Sequence, residues 1–302
     1  MVSKLKNDRE NILVFGGSGL LGKCLLENYI DKKKIHIAIN KTKIINKKIK
    51  FISVRNFDLL KNYVKKNHIK VIINLAGLTN IELCEKNEQL SKKSNYILPI
   101  KLAKLSKETK IKYVFISTDN FKFKSKKLSE NAITTALNNY SKHKKKSEKD
   151  ILKIYSKSLV IRTNFYCVGN KKRQSFSDTI IKNIKSNNEI ELFKDVYYTP
   201  IYGKYLLKYI FGLIKKKKIG IFNICSDEKI TKYNFGQKLC DIFHLDKKLI
   251  KYNYLNKRND LVRRPLNMAL NNNKLKKTLN IKIPSIKYQL KVMKNDLRLL
   301  SK

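Results

Sequence analysis

The feature that most constrains the fold of this chain is a glycine turn between an apolar segment and a helical one. Residues 12–22 read ILVFGGSGLLG, so glycines recur at every third position from Gly16 to Gly22. Glycines at this spacing permit a tight turn, let a diphosphate approach the backbone and bring a helix close to a strand. The first N–H groups of the helix are then presented to the phosphates. The pattern predicts a dinucleotide-binding turn formed by Gly16, Gly19, Leu20, Leu21 and Gly22.

Apolar segments of strand length alternate with helical patterns through the first half of the chain. The strand candidates are residues 12–16, 35–39, 50–54, 71–77, 111–118 and 158–163. Strands that are apolar on both faces and separated by helices are typical of a parallel sheet covered on both sides. We therefore predict an α/β fold with a doubly wound parallel sheet of the Rossmann type.

After Thr163 the strand and helix signals become shorter, and they include IGIFNIC at residues 219–225. This change predicts a smaller, mixed α/β C-terminal lobe. We expect residues 1–165 to form the dinucleotide-binding domain and residues 166–302 to form the second lobe, which packs on the first and is partly interleaved with it.

The net charge of +45, taken alone, favours a polyanionic partner such as nucleic acid or an anionic membrane surface. The charge comes from 60 lysines spread over 302 residues, whereas arginine, the better reader of bases and phosphates, occurs eight times. We interpret it as a solvated lysine surface and expect no specific nucleic-acid partner. The most apolar later stretch, residues 205–214, is too short to span a membrane, so no membrane partner is expected.

The five cysteines are odd in number and widely spaced, with no C-x-x-C pair, which fits reduced thiols in a cytoplasm. The four histidines show no metal-ligand spacing, so no metal site is predicted. The N-terminus has no apolar stretch followed by a cleavage site, so no signal peptide is expected. These features predict a globular, cytoplasmic protein.

The residues after the second strand bear on the choice of cofactor. Folds that bind NAD place an acidic residue there to hold the ribose hydroxyls. This chain has Asn40 and Lys41 after IHIAI, and residues 40–43 contain no carboxylate. An amide and a cation tolerate a 2′-phosphate, so we predict NADPH in preference to NADH.

Several further segments follow one another in a characteristic order. They are VIINLAGLTN (71–80), ISTDN (116–120), YSKHK (140–144), RTNFY (162–166), FKDVYYTPI (193–201), GIFNICSDEKITKYNFGQKL (220–239) and RRPLNMALNNNKLKKTLNI (263–281). Together they resemble the dTDP-4-dehydrorhamnose reductase family of extended short-chain dehydrogenases, which are sugar-nucleotide enzymes that use NAD(P)H. The resemblance extends from Asn11 to about Lys294. It implies that the C-terminal lobe binds the substrate.

The resemblance also selects one of two tyrosine–lysine pairs. With 16 tyrosines and 60 lysines, about three pairs at a spacing of four are expected by chance, and the chain has two, Tyr29/Lys33 and Tyr140/Lys144. Tyr140 lies 22 residues after Thr118, as the family pattern requires. The resemblance implies that Tyr140 donates a proton and that Thr118 binds the substrate oxygen. Lys144 would then bind the cofactor ribose and lower the tyrosine pKa.

The resemblance also implies roles for further residues, from their positions in the matched segments. The resemblance assigns Asn74, Leu75, Ala76 and Gly77, together with Lys144, to cofactor binding, and Asn95 to support of the active site. It assigns Ser117, Asp119, Asn164, Phe165, Arg263 and Arg264 to the substrate. Two adjacent guanidinium groups suit the diphosphate of a nucleotide.

Three departures from the family pattern concern the sugar. Asn120 stands where the family usually has an aromatic residue, and FKFKSKK at 121–127 replaces a glycine turn. RTNFY replaces a segment that contains tryptophan, which leaves Phe165 near the expected sugar contact. These changes leave the cofactor prediction intact and leave open whether dTDP-rhamnose is the product.

The sequence therefore predicts an NAD(P)H-dependent reductase of a nucleotide-linked 4-keto sugar. A nucleotide-sugar epimerase of the same superfamily is one alternative. Another is a non-catalytic regulatory subunit of the same fold, like that of methionine adenosyltransferase. A dehydratase is disfavoured because Asp119 is followed by Asn120 instead of a second acid. The intact set of Thr118, Tyr140 and Lys144 favours an enzyme, and a homodimer is left open as its assembly.

Overall fold

The computed structural model of the protein describes residues 10–31, 34–39, 50–53, 56–170 and 173–300. Its strands are β1 Asn11–Phe15, β2 Lys34–Ile39, β3 Lys50–Ser53, β4 Ile69–Asn74, β5 Lys112–Ile116, β6 Leu159–Arg162, β7 Phe165–Tyr166, β8 Ile190–Phe193, β9 Tyr197–Tyr198, β10 Ile201–Tyr202, β11 Gly220–Asn223, β12 Ile230–Thr231 and β13 Ile250–Asn253.

The helices are α1 Leu20–Tyr29, α2 Phe57–Lys66, α3 Ile81–Lys86, α4 Glu88–Lys92, α5 Leu98–Glu108, α6 Asn139–Ile154, α7 Phe176–Lys185, α8 Gly203–Lys215, α9 Lys232–Phe243, α10 Asn273–Leu279 and α11 Ile286–Leu300. A π-helical turn, Lys93–Ile97, joins α4 to α5, and short 3₁₀ turns occupy Lys247–Leu249 and Leu255–Lys257. None of the helices in the described ranges is both long enough and apolar enough to cross a bilayer.

A seven-stranded parallel sheet forms the centre of the molecule, in the order β11-β6-β5-β4-β1-β2-β3. β1 pairs with β2 on one side and with β4 on the other, so the chain reverses its direction of winding at β1. A crevice opens at such a switch point, at the carboxyl ends of the two diverging strands. The predicted doubly wound α/β fold of the Rossmann type is confirmed.

Alternate side chains of each strand are buried on opposite faces of the sheet. Ile12 and Val14 of β1 pack in one apolar cluster with α1 and α8, whereas Leu13 and Phe15 pack in another with α2, α5 and α6. Successive residues of a strand point to opposite faces, so a strand covered on both sides must be apolar throughout. This burial fixes the strand ends, from which the site residues project.

A third apolar cluster lies in the C-terminal half and is built around Phe235 of α9. Here β8 pairs with β13 in parallel and β9 pairs with β12 antiparallel, with α7, α9 and α11 packed against them. Among the stretches assigned to this lobe from sequence, IGIFNIC is placed differently. It forms β11, which pairs with β6 at the edge of the central sheet.

The residues of a short apolar strand do not specify which sheet the strand joins. The sequence pattern alone therefore could not assign β11 to the central sheet. The chain thus returns to the central sheet after first leaving it. The division of the chain at residue 165 stays a prediction.

The glycine turn packs so closely that two positions have no room for a side chain. Gly16 has φ +82°, and a β-carbon there would lie 2.6 Å from the Ala76 nitrogen. A β-carbon at Gly22 would lie 2.5 Å from the Gly16 carbonyl oxygen. The neighbours are backbone atoms, which cannot rotate away. The spacing read from the sequence therefore has a steric cause.

We expect Gly22→Ala to lower the free energy of unfolding by about 1–3 kcal/mol, the usual effect of overpacking. Gly212→Ala in α8 is the matched control. Its β-carbon would meet the flexible Leu279 side chain at 3.2 Å, and alanine is the better helix former by about 1 kcal/mol. Urea denaturation should show a loss of stability for Gly22→Ala and none for Gly212→Ala. Equal losses would contradict the steric explanation.

Candidate active site

A cleft of about 620 Å³ opens at the carboxyl ends of the central strands. Residues that follow β1, β4, β5 and β6 form one wall, and residues of the C-terminal half form the other. Ligands of doubly wound sheets bind at this edge. The predicted site residues that line the cleft are Gly16, Gly19, Leu20, Leu21, Gly22, Leu75, Ala76, Gly77, Ser117, Thr118, Asp119, Tyr140, Lys144, Asn164, Phe165 and Arg264.

The glycine turn forms one end of the cleft. Gly19 directly precedes α1, and its N–H donates to the Gly16 carbonyl at 3.0 Å. A glycine at this position has no side chain to bind the first N–H groups of the helix, so these groups are available to a phosphate. The turn therefore has the shape and the donors that suit a dinucleotide diphosphate.

Two buried asparagines hold the backbone beside the turn. Asn74 ends β4, and its Oδ1 accepts a hydrogen bond from the Ala76 N–H at 3.1 Å. It lies beneath the cleft, outside the set of residues that line it. Asn95, in the π-helical turn, accepts from the Leu78 N–H at 3.1 Å and donates to the Leu78 carbonyl at 2.9 Å. Both amides therefore act on the strand end from Leu75 to Leu78.

The start of α6 places Tyr140 in the cleft. The Asn138 side chain accepts from the Ser141 N–H at 2.9 Å, and the Ser141 hydroxyl accepts from the Asn138 N–H at 3.2 Å. This reciprocal cap fixes the first turn of the helix. Tyr140 follows within that turn and is 8% exposed. Tyr29, of the other pair, instead packs against Phe211 with ring centroids 4.5 Å apart.

Lys144 lies one helical turn after Tyr140 and also lines the cleft. It is 4% exposed, and its ammonium group donates to the Ile116 carbonyl at 2.8 Å. A β-carbon at Gly77 would crowd this ammonium at 3.3 Å. Burial lowers the pKa of Lys144 to about 8, although Glu148 raises it. The lysine is thus held at the strand end with its charge largely removed from water.

The pKa of the Tyr140 hydroxyl is raised above its usual value near 10. Burial is the main cause, and it outweighs the lowering effect of the Thr118 side chain, while Asp119 raises the pKa further. The expectation that Lys144 lowers this pKa is wrong for this structure, where the ammonium is bound to a backbone carbonyl. A raised pKa keeps the phenol protonated at neutral pH, which is the form required of a proton donor.

A buried ion pair joins α6 to the central sheet. Arg162, the last residue of β6, donates to Glu148 of α6 through Nη2 at 2.7 Å and Nε at 3.0 Å. The Ser117 hydroxyl donates to the same carboxylate at 2.5 Å. Ser117 was predicted to bind substrate, but in this structure its hydroxyl proton is directed at α6. Neither Glu148 nor Arg162 was predicted from sequence.

Asp119 introduces a second ionisable group into the cleft. It is 4% exposed, and its Oδ2 accepts from Asn164 Nδ2 at 2.8 Å. Burial raises the pKa of Asp119 to about 6, against the lowering effects of Lys232 and of the Asn164 hydrogen bond. Lys232 begins α9 and lines the opposite wall. The cleft thus contains a carboxyl group that titrates close to neutral pH.

The two predicted substrate arginines are placed differently from each other. Arg264 lines the cleft, but its guanidinium pairs with Glu82 and donates to the Val262 carbonyl at 3.0 Å. Arg263 is exposed and is not brought into the cleft wall. The remaining predicted residues, Asn40 and Lys41, lie outside the described residues, as does Lys33 of the other tyrosine–lysine pair.

Sequence reasoning missed several residues of the cleft, most of them in the wall that the C-terminal half contributes. The cleft is also lined by Thr163, Arg173, Phe176, Phe193, Lys232 and Met268. These residues come from separate segments, and in a chain with 60 lysines and 13 phenylalanines no local pattern distinguishes them. Only the matched segments at 162–166, 193–201, 220–239 and 263–281 pointed toward this wall. Within the described part of the chain, no group of three or more His, Cys, Asp or Glu side chains is arranged to hold a metal ion.

The family model described as the RmlD substrate binding domain matches residues 10–299, which is nearly the whole chain. The chain belongs to this family. The family is that of the dTDP-4-dehydrorhamnose reductase-like proteins, so the resemblance found in the sequence is confirmed.

Two sequence relatives match most of the chain at low identity. The chain is 23% identical to a "Probable low-salt glycan biosynthesis reductase" of Haloferax volcanii over 202 residues, which is 65% of this chain and 66% of that one. It is 23% identical to a dTDP-4-dehydrorhamnose reductase of Aggregatibacter actinomycetemcomitans over 245 residues, 76% and 78% of the two chains.

A solved dTDP-4-dehydrorhamnose reductase of Bacillus anthracis, in complex with NADP, superposes with a TM-score of 0.84 at 22% identity. The superposition covers 95% of this chain and 99% of that one. At this identity the likeness shows a shared fold.

The raised pKa of Asp119 predicts a pH-dependent effect of Asp119→Asn on stability. The folded state binds the Asp119 proton more tightly than the unfolded chain does. Its stabilising contribution is therefore present below about pH 4 and is lost as the pH rises through about 6. Asparagine stays neutral throughout. We therefore expect the free energy of unfolding of the variant to exceed that of the wild type by about 1–3 kcal/mol at pH 8 and by much less at pH 4.5.

Urea denaturation at several pH values measures this difference. Asp58→Asn, at an exposed position on α2, controls for the removal of one negative charge from a strongly basic chain. An advantage of Asp119→Asn that stays constant from pH 4.5 to pH 8 would contradict the assigned titration.

Proposed function

We propose that this chain is an NAD(P)H-dependent reductase of a nucleotide-linked 4-keto sugar, of the dTDP-4-dehydrorhamnose reductase type. The observation that carries the proposal is that Thr118, Tyr140 and Lys144 line one cleft together with the glycine turn. Family membership supports it, and so do the reductase activities named for the two curated relatives. In this proposal the sugar nucleotide lies between the sheet and residues 166–302, which act as the substrate-binding lobe.

The residues that would hold the dinucleotide are the glycine turn and the strand end from Leu75 to Gly77. Gly16 lies too close to Ala76 to admit a side chain, and α1 begins directly after Gly19, so a diphosphate could approach the backbone and the helix N-terminus. The related solved structure from Bacillus anthracis is a complex with NADP. When bound, a reduced nicotinamide supplies the hydride that a keto carbon accepts.

Tyr140 is proposed to give the proton that the substrate oxygen requires. Its raised pKa keeps the hydroxyl protonated before reaction. Thr118 and Tyr140 line the same cleft, and the Thr118 side chain lowers the pKa of Tyr140, so the two hydroxyl groups are near enough to act on the same oxygen. Donors fixed in a water-poor site stabilise the negative charge that develops on that oxygen. The pair would therefore both orient the keto group and complete its reduction.

Lys144 is proposed to bind the cofactor ribose. One of its three N–H donors is bound to the Ile116 carbonyl, so two remain for other partners. Its pKa of about 8 leaves most of the ammonium charged at pH 7. That charge is lost as the pH rises through about 8.

The two alternative functions considered from the sequence differ from a reductase in their use of the cofactor. A nucleotide-sugar epimerase would use the same side chains but would regenerate its cofactor within each cycle. A regulatory subunit would turn over nothing. Oxidation of one NADPH per keto sugar consumed therefore separates the reductase from both. The cytoplasmic location and the homodimer stay predictions.

If Tyr140 is the proton donor, Tyr140→Phe should lower kcat by about 10²–10⁴-fold, the usual contribution of general acid–base catalysis. The ring and its packing are kept, so the fold and the cofactor affinity should change little. Lys144→Met should weaken cofactor binding and also lower kcat, because the ammonium would hold the ribose and so position the nicotinamide. NADPH absorbance with a 4-keto sugar nucleotide measures the rate, and NADPH fluorescence measures binding.

The second tyrosine–lysine pair provides the matched control for this experiment. Tyr29→Phe and Lys33→Met alter residues with the same spacing, and Tyr29 lies outside the set that lines the cleft. We expect both control variants to stay within about twofold of the wild type. Similar activity in all four variants would remove the catalytic assignment of Tyr140 and Lys144.

For the cofactor, we expect NADPH to bind at least as tightly as NADH, because residues 40–43 carry no carboxylate to repel a 2′-phosphate. Lys41→Asp should shift the preference toward NADH by about tenfold, since it exchanges a cation for an anion. Fluorescence titration of both cofactors tests this. A strong NADH preference in the wild type would refute the argument from residues 40–43.

A further inference from the structure

Four cationic side chains line the cleft, and three of them are either already engaged or in contact with water. Lys144 donates to the Ile116 carbonyl. Arg264 pairs with Glu82, and Arg173 is exposed. Lys232 differs, because its half-buried ammonium forms neither a hydrogen bond nor a direct ion pair with any of the described residues. Of the wall cations that are shielded from water, it is the one with no hydrogen-bond acceptor in the described part of the chain.

The position of Lys232 is set by aromatic packing. Its Nζ lies 3.5 Å from the centre of the Tyr198 ring and 4.7 Å from that of Phe176. Ring faces attract a cation but, unlike a carboxylate, they leave its N–H donors unused. Burial lowers the pKa of Lys232 to about 8, while Asp119 raises it. The ammonium is therefore held in place, partly dehydrated and still able to donate.

A second unsatisfied group lies in the same cleft. Thr163 is 5% exposed and lines the cleft, and its Oγ1 finds no hydrogen-bond partner among the described residues. Buried polar atoms are normally paired, so an unpaired one at a cleft wall points to a partner from outside the chain. Asp119 accounts only in part for the charge of Lys232, because its carboxylate accepts from Asn164 and makes no direct ion pair with the lysine.

We propose that Lys232 binds an oxyanion of the sugar-nucleotide substrate, on the side of the cleft that faces Asp119. An ammonium that is partly dehydrated and has no contacting anion gains most from a ligand that supplies one. A phosphate of the diphosphate and a carboxylate on the sugar both provide that chemistry. The inference rests on the proposed function, since it takes the ligand of this cleft to be a sugar nucleotide.

Lys232→Met tests the inference, because methionine keeps an unbranched apolar chain against the two rings and removes the charge. Lys229→Met is the matched control. Lys229 lies three residues earlier, and its ammonium also lies over a tyrosine ring, 4.6 Å from the centre of Tyr197, but it is exposed and outside the cleft lining. Lys232→Arg keeps the charge and should retain most of the affinity.

Calorimetric titration of the wild type with UDP, dTDP, GDP and CDP first identifies the nucleotide that binds best. The variants are then titrated with that nucleotide, with its glucose ester and with its glucuronate ester. We expect Lys232→Met to weaken at least one of these ligands by about tenfold or more, as the loss of one charge-assisted hydrogen bond does. Lys229→Met should stay within about twofold.

The pattern of losses distinguishes the two sources of the anion. An equal loss of affinity for all three ligands in Lys232→Met places the diphosphate at Lys232. A loss of affinity confined to the glucuronate ester places a sugar carboxylate there. Unchanged affinity in Lys232→Met, with an unfolding midpoint like that of the wild type, overturns the inference. So does an equal loss in Lys229→Met. A wild-type protein that binds none of the nucleotides would instead refute the proposed function.

Discussion

The buried ion pair between Glu148 and Arg162 is the interaction on which the geometry of the cleft depends. It joins α6 to the end of β6, and the Ser117 hydroxyl ties the same carboxylate to the residue that follows β5. Removing one partner of such a pair leaves an uncompensated buried charge, which costs about 3–5 kcal/mol. Tyr140, Lys144 and Glu148 are four residues apart and share one face of α6. The ion pair therefore sets the rotation of the helix that presents the other two side chains to the cleft.

Removal of water from the cleft gives its ionisable groups their properties. Burial raises the pKa values of Tyr140 and Asp119 and lowers those of Lys144 and Lys232, so each shift favours the neutral form. The pKa values of Asp119, Lys144 and Lys232 are thereby brought closer to neutral pH, where proton transfer is easiest, whereas that of Tyr140 moves further above it. This contrasts with the many solvated lysines that give the chain its net charge of +45. Those lysines create a positive field that attracts an anionic nucleotide.

The sequence was most informative where backbone sterics or strand periodicity left few choices. The glycine spacing from Gly16 to Gly22 follows from backbone atoms that would collide with a β-carbon. The sequence was least informative where segments that are distant along the chain meet. The IGIFNIC strand joined a sheet that its own residues do not specify, and Arg263 and Arg264, adjacent in sequence, were separated by exposure. The predicted effect of Lys144 on Tyr140 failed because a spacing on a helix does not reveal how deeply the helix face is buried.

The sequence by itself determined the doubly wound sheet, the phosphate-binding turn and the order of the motifs that mark the family. These depend on local rules: which residues tolerate a tight turn, and which strands must be apolar on both faces. Only the tertiary structure decided which side chains share the cleft, and how far burial shifts their pKa values. It paired Arg162 with Glu148 across 14 residues. It also brought Lys232 opposite Asp119, 113 positions earlier in the chain. Hydration and through-space charge depend on three-dimensional neighbours, and a linear pattern does not contain them.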